Sequence, residues 1–150
     1  MTGHDNGSIN AAVASARAAL GIDVREPVRT WSVARMHAGA RDFLLVVFGA
    51  AERASAIAAV DPVSGEVLES AHLPGREPHA LITADEAILR AGFGPDTQAR
   101  LVWDPSPASR SRFYPLWQLQ GAERKAWVDS VSGKVWHTLD APRGGGSAQV

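Results

Sequence analysis

A chain of 150 residues, 45% hydrophobic and 21% charged, has the balance of a globular protein: one ordinary domain, or two very small ones sharing a core. Its 15 Lys and Arg against 16 Asp and Glu leave a formal charge of -1, too little positive field to neutralise a phosphate backbone, so nucleic acid is not an expected partner. The absence of cysteine excludes disulfides, thiolate metal sites and cysteine nucleophiles.

The first eight residues are polar, with neither a basic n-region nor an apolar h-region. The longest strongly apolar run, Phe43 to Phe48, falls far short of the ~20 residues of a spanning helix, so no membrane insertion is expected. The chain as written reads as cytoplasmic, or as extracytoplasmic if its N-terminus has been trimmed. Residues 1–10 and the tail 140–150, which contains Gly144-Gly145-Gly146, are expected to be disordered.

Asn10 as N-cap and Gly21 as stop frame a first helix over Ala11 to Leu20, a stretch of strong helix formers. Val28 to His37 and Asp42 to Phe48 read as strands joined at Ala38-Gly39-Ala40. Beyond a connection from Ala50 to Ser55, Ala56 to Asp61 is a third strand, Pro62-Val63-Ser64-Gly65 a turn, and Glu66 to Ala71 a returning strand. These elements make a unit over residues 11–71. His72 to His79, with Pro74-Gly75 and Pro78, is expected to be a linker. Thr83-Ala84-Asp85-Glu86 then has capping-box spacing, predicting a second helix from about Ala84 to its stop at Gly92. Arg100 to Trp103, Tyr114 to Gln120, Ala126 to Asp129 and Lys134 to Leu139 follow as strands, with a Pro- and Ser-rich excursion from Asp104 to Arg112 and a turn at Ser130 to Gly133. A second unit thus spans residues 80–139.

The two units share Val60-Asp61-Pro62-Val63-Ser64-Gly65-Glu66-Val67 and Val128-Asp129-Ser130-Val131-Ser132-Gly133-Lys134-Val135. Gly21 and Gly92, Trp31 and Trp103, and Leu44 and Leu116 recur at almost the same spacing. The smaller spacing from Gly65 to Gly133 predicts a longer connection around Ala51 to Ala54 in the first unit.

Capped helix, strand, strand and a Val-Asp-x-x-Ser-Gly-Lys/Glu-Val hairpin resemble the PepSY domain of peptidase propeptides and bacterial regulators. The match runs from Ile82-Thr83-Ala84-Asp85-Glu86-Ala87 through Tyr114-Pro115-Leu116-Trp117-Gln118-Leu119 to Ala126 through Val135, and is weaker in the first unit. The resemblance implies an α+β fold: two α-β-β-β repeats of PepSY or cystatin-like character, each a helix packed on an antiparallel sheet. It also implies binding or inhibition of a protein, without catalysis.

No residue pattern commits to a reaction. His4, His37, His72, His79 and His137 show no metal-ligand spacing, and no cofactor is expected. Asp61 and Asp129 have the place of acid–base carboxylates, but before a Ser-Gly turn their plainer use is to accept bonds from turn amides. Ser64 and Ser132 lack the flanking glycines of a nucleophile elbow. Four of the five tryptophans fall in the second unit, beside Phe113 and Tyr114 and under the Asp104 to Arg112 loop. The expected function is therefore a non-enzymatic module that contacts a protein or peptide. Its candidate surface is Trp103, Arg110, Arg112, Phe113, Tyr114, Trp117, Trp127, Trp136 and His137. One alternative is a small enzyme or small-molecule binder with a cavity between helix and sheet, lined by Trp103, Tyr114, Trp117 and His137. Another is a subunit that buries these aromatics in a homodimer.

Overall fold

The structure is a computed structural model that describes residues 6–139. The expectations for residues 1–5 and 140–150, His4 and the glycine tail included, lie outside the described residues. Helix α1 spans Asn6–Leu20, starting before Asn10 because Ile9 extends the apolar stripe of Ala12, Val13, Ala16 and Leu20. Residues 6–10, expected to be disordered, are thus helical. Strands β1 (Val28–Val33), β2 (Phe43–Ala50), β3 (Arg53–Val60) and β4 (Val67–Glu77) form one antiparallel sheet in chain order. Helix α2 (Ala84–Ala91) is followed by β5 (Gln98–Val102), β6 (Leu116–Gln120), β7 (Lys125–Asp129) and β8 (Val135–Trp136), a second sheet ordered the same way.

The fold is α+β, with each helix packed on its own four-stranded antiparallel sheet. Each unit has one strand more than the α-β-β-β outline, because the segment returning from the Ser-Gly turn joins the sheet. In the first unit that strand continues through Pro74-Gly75 to Glu77, so most of the expected linker belongs to β4. Pro74 is tolerated there because β4 is an edge strand, where a missing amide donor leaves no inner partner unsatisfied.

Both helices end alike. Gly21 and Gly92 take positive φ, and the next residue's amide reaches back to the last turn, Ile22 to the Arg17 carbonyl and Phe93 to that of Ile88, each at 3.0 Å. Thr83 caps α2 by accepting from the Glu86 amide at 3.1 Å. The Glu86 carboxylate pairs with Arg90 one turn on, at 2.9 Å.

The hairpins agree bond for bond. Asp61 Oδ1 accepts from the amides of Val63 and Ser64 at 2.8 and 3.3 Å, and Asp129 Oδ1 from those of Val131 and Ser132 at 2.8 and 2.9 Å. The Asp61 and Asp129 main chains bond to Glu66 and Lys134 respectively, both at 2.8 Å. Burial works to raise the Asp61 carboxyl's pKa, but the two amides and the Arg41 guanidinium outweigh it and hold it below the usual carboxylate value.

Strand register revises the matching of the repeats. Leu44 faces Val60, just before Asp61, while Trp117 faces Val128, just before Asp129. Trp117 is therefore the counterpart of Leu44, and Leu116 of Phe43. Val33 faces Phe43 and Val102 faces Leu116, so Trp103 corresponds to Ala34 and Trp31 to Arg100. The spacing difference also lies elsewhere than expected. Strands β2 and β3 have eight residues each and β6 and β7 five, whereas the β2–β3 connection is only Ala51-Glu52.

The two sheets meet at one parallel bridge between Ala34, just past the end of β1, and Val102 of β5, where the Ala34 amide donates to the Leu101 carbonyl and the Trp103 amide to the Ala34 carbonyl, both at 2.9 Å. One core lies under α1, with Leu44, Val46, Phe48 and Val60 at its centre. The opposite face of the first sheet, with Phe43, Leu45, Val47 and Ile57, is covered by Leu101, Trp103, Phe113 and Trp117 of the second unit. Trp117 also packs in the core under α2. Each of those covered side chains contributes about 1.5–3 kcal/mol on burial, so the second face makes the two units one body.

Candidate functional site

The excursion between β5 and β6 is structural. Trp103, 3% exposed, meets Phe43 edge-on at 6.2 Å and lies between the guanidiniums of Arg35 and Arg112, at 5.3 and 5.1 Å from its ring centre. Its Nε1 donates to Ser109 Oγ at 3.1 Å, and Ser109 in turn donates to the Tyr114 carbonyl at 2.6 Å. Asp104 accepts from Arg35 Nε at 2.7 Å and from the amides of Met36 and His37 at 2.5 and 2.9 Å, tying the loop to the first unit. Arg112 pairs with Glu69 on β4 at 3.3 Å, and Ser111 donates to the same carboxylate at 3.1 Å. The loop expected to overhang the second unit's aromatics therefore covers the first sheet, and Asp104, Ser111 and Arg112 hold it there.

The nine candidate residues separate accordingly. Trp103, Arg112 and Phe113 belong to the packing between units, and Trp117 joins two cores while its Nε1 donates to the Ile82 carbonyl at 2.9 Å. Tyr114 is 40% exposed against the ring of His79, and Arg110 and His137 are exposed. For the cavity alternative, the space between α2 and its sheet is filled by Ala87, Leu119 and Val128 with Trp117, Ile88 and Val135 around them. Trp127 and Trp136 remain, directly opposite each other on β7 and β8, both half-buried.

These two tryptophans stand on the face of the second sheet that no helix covers. Side chains alternate along a strand, so Val128 and Leu119 point to α2 while Trp127, Gln118 and Gln120 point away. The ladders align Arg100, Gln118, Trp127 and Trp136 in one row across all four strands, with Gln98, Gln120 and Lys125 in a second. Trp127 Nε1 lies 3.4 Å from Gln118 Oε1, and Lys134 Nζ sits 4.2 Å above the Trp136 ring. A shallow groove of about 230 Å³ runs along Gln98, Arg100, Gln118 and Gln120.

The equivalent face of the first sheet is apolar and buried. By the register above, Trp31, Leu45, Val47, Ile57 and Ala59 are replaced by Arg100, Gln118, Gln120, Lys125 and Trp127. The connection between β1 and β2 is shorter than the β5–β6 excursion, so the second sheet has no equal cover. The sequence reading singled out Trp127 and Trp136 but missed the Gln, Arg and Lys side chains around them. The available signal was the two-residue spacing of Gln98 and Arg100 on β5 and of Gln118 and Gln120 on β6, which only the correct strand alignment makes meaningful.

Among the described residues, one of the histidines is buried. His79 is 5% exposed; its Nε2–H donates to the Phe113 carbonyl at 3.0 Å, its amide to the Ala51 carbonyl at 3.0 Å, and its own carbonyl accepts from Arg29 at 2.9 Å. Burial pushes its pKa down, the Phe113 carbonyl opposes, and the Arg29 charge adds to the lowering. Among the described residues no three His, Asp or Glu side chains gather as metal ligands, and no helix is long and apolar enough to cross a membrane.

No protein-family model matches the chain, and no curated protein matches it. Among solved structures it is similar to a protein of Clostridium difficile 630 described as a "putative lipoprotein", at 13% identity and a TM-score of 0.30, covering 79% of this chain and 83% of that one.

Proposed function

We propose that the protein is a non-catalytic binding module, built from two PepSY-like units, that holds a protein or peptide on the uncovered face of its second sheet. The carrying observation is the Trp127–Trp136 pair, partly exposed in a row with Arg100 and Gln118 where the repeat's other copy has a closed apolar core. Large apolar side chains left partly open to water on a rigid sheet favour association, and Trp and Arg are the residue types that most often carry binding energy. The duplicated glycine-stopped helix and Asp-x-x-Ser-Gly hairpin support the PepSY-like part of the reading.

Affinity capture on the immobilised full chain tests it, comparing the parent with Trp127→Ser plus Trp136→Ser after circular dichroism shows the fold retained. A specific protein should be held by the parent and reduced about tenfold or more in the double variant, as for a central hot spot. Arg110→Ala should leave capture unchanged. The reading is wrong if nothing specific is retained, or if the double variant retains it equally.

A further inference from the structure

The tryptophan pair is framed by cations. Arg100, Lys125 and Lys134 are all exposed, and among the described residues none of them pairs with a carboxylate. Lys125 lies two residues before Trp127 and so shares its face, Arg100 ends the Trp127 row, and Lys134 leans over the Trp136 ring. The acidic side chain that β7 adds to this face, Asp129, is already engaged by the amides of Val131 and Ser132. A chain of net charge -1 thus has a local basic and aromatic face interleaved with the amides of Gln98, Gln118 and Gln120.

We infer that this face takes an acidic, extended peptide segment bearing an aromatic or apolar anchor, a deepening that rests on the binding reading above. Neighbouring strands lie about 4.8 Å apart and the two rows about 6.8 Å apart along the strands, so Arg100 on β5 and Lys125 on β7 sit roughly 12 Å apart, close to the span of about four residues of an extended chain, whose ends share one face. An anchor seated on Trp127 and Trp136 leaves Asp or Glu side chains at that spacing over the two cations, while the glutamines bond to the peptide backbone. Exposed charges of this kind act mainly on association rate, salt dependence and choice of partner.

Fluorescence polarisation with the full chain tests this, using a labelled peptide that repeats Glu-Ser-Tyr-Ser, which puts Glu and Tyr on one face of an extended chain, its Lys-for-Glu counterpart, and a single-stranded oligodeoxythymidine. The acidic peptide should bind at least about tenfold tighter than either control, weaken as salt rises, and lose that advantage in the variant Arg100→Glu, Lys125→Glu, Lys134→Glu. No binding of the acidic peptide, equal binding of the basic one, or binding that survives charge reversal overturns the inference. Equal or tighter binding of the oligonucleotide overturns the peptide assignment, as does a dimer in light scattering that the Trp127→Ser, Trp136→Ser variant abolishes. In the capture experiment, loss with the tryptophan variant but not with charge reversal defeats this inference and leaves the binding reading standing; loss with neither defeats both.

Discussion

His79 and Phe113 join the two units through one buried hydrogen bond, imidazole Nε2–H to carbonyl at 3.0 Å. The bond pins the β5–β6 excursion against the β2–β3 hairpin, which the His79 amide holds through Ala51.

A pH dependence follows from that burial. The folded-state pKa of His79 is lowered, so the unfolded chain takes up its proton first as pH falls. The contribution of neutral His79 is fully present above the unfolded value of about 6.5 and is lost as pH falls from there toward the folded value. Stability measured by urea denaturation should therefore decline below about pH 6.5, with a slope from this residue approaching ~1.4 kcal/mol per pH unit at most. His79→Gln should flatten that part of the curve. An unchanged slope in the variant would show that another group titrates.

Trp103 should be the costliest single truncation in the seam. Trp103→Ala removes the ring that Arg35 and Arg112 cover and that Phe43 meets edge-on, and should destabilise by about 3–5 kcal/mol in denaturant titration. Trp103→Phe loses the bond to Ser109 and part of the ring, and should cost distinctly less. Equal effects, or a neutral Trp103→Ala, would contradict the buried packing role.

Gly65 and Gly133 hold matching left-handed conformations, φ 82° and 81°, in the two Ser-Gly turns. A Cβ at Gly65 would lie 3.2 Å from Ser15 Oγ of α1, and one at Gly133 2.5 Å from the guanidinium of Arg90 on α2. The arginine is flexible enough to move, so backbone strain dominates both substitutions. Gly65→Ala and Gly133→Ala should each destabilise by about 1–2 kcal/mol, and Gly133→Asn should recover part of that loss because Asn tolerates this region. Thermal denaturation of the variants checks this, and an Asn variant no better than Ala would point to contact with Arg90 as the cause.

The sequence by itself determined the elements whose signals are local. The Thr83 cap, the stops at Gly21 and Gly92, and the paired Asp-x-x-Ser-Gly turns act within a few residues, through a side-chain oxygen facing a nearby amide or a glycine taking positive φ. Two units and an α+β fold followed from them. Strand length, register and face depend on partners far along the chain, and only the tertiary structure decided those. It carried β4 through Pro74-Gly75, aligned Trp103 with Ala34 in place of Trp31, and sent the Asp104 to Arg112 loop onto the first sheet. Shifting a strand by one residue exchanges its buried and exposed faces. Composition therefore could not say which of the second unit's tryptophans fill a core and which, Trp127 and Trp136, face water beside Arg100 and Gln118.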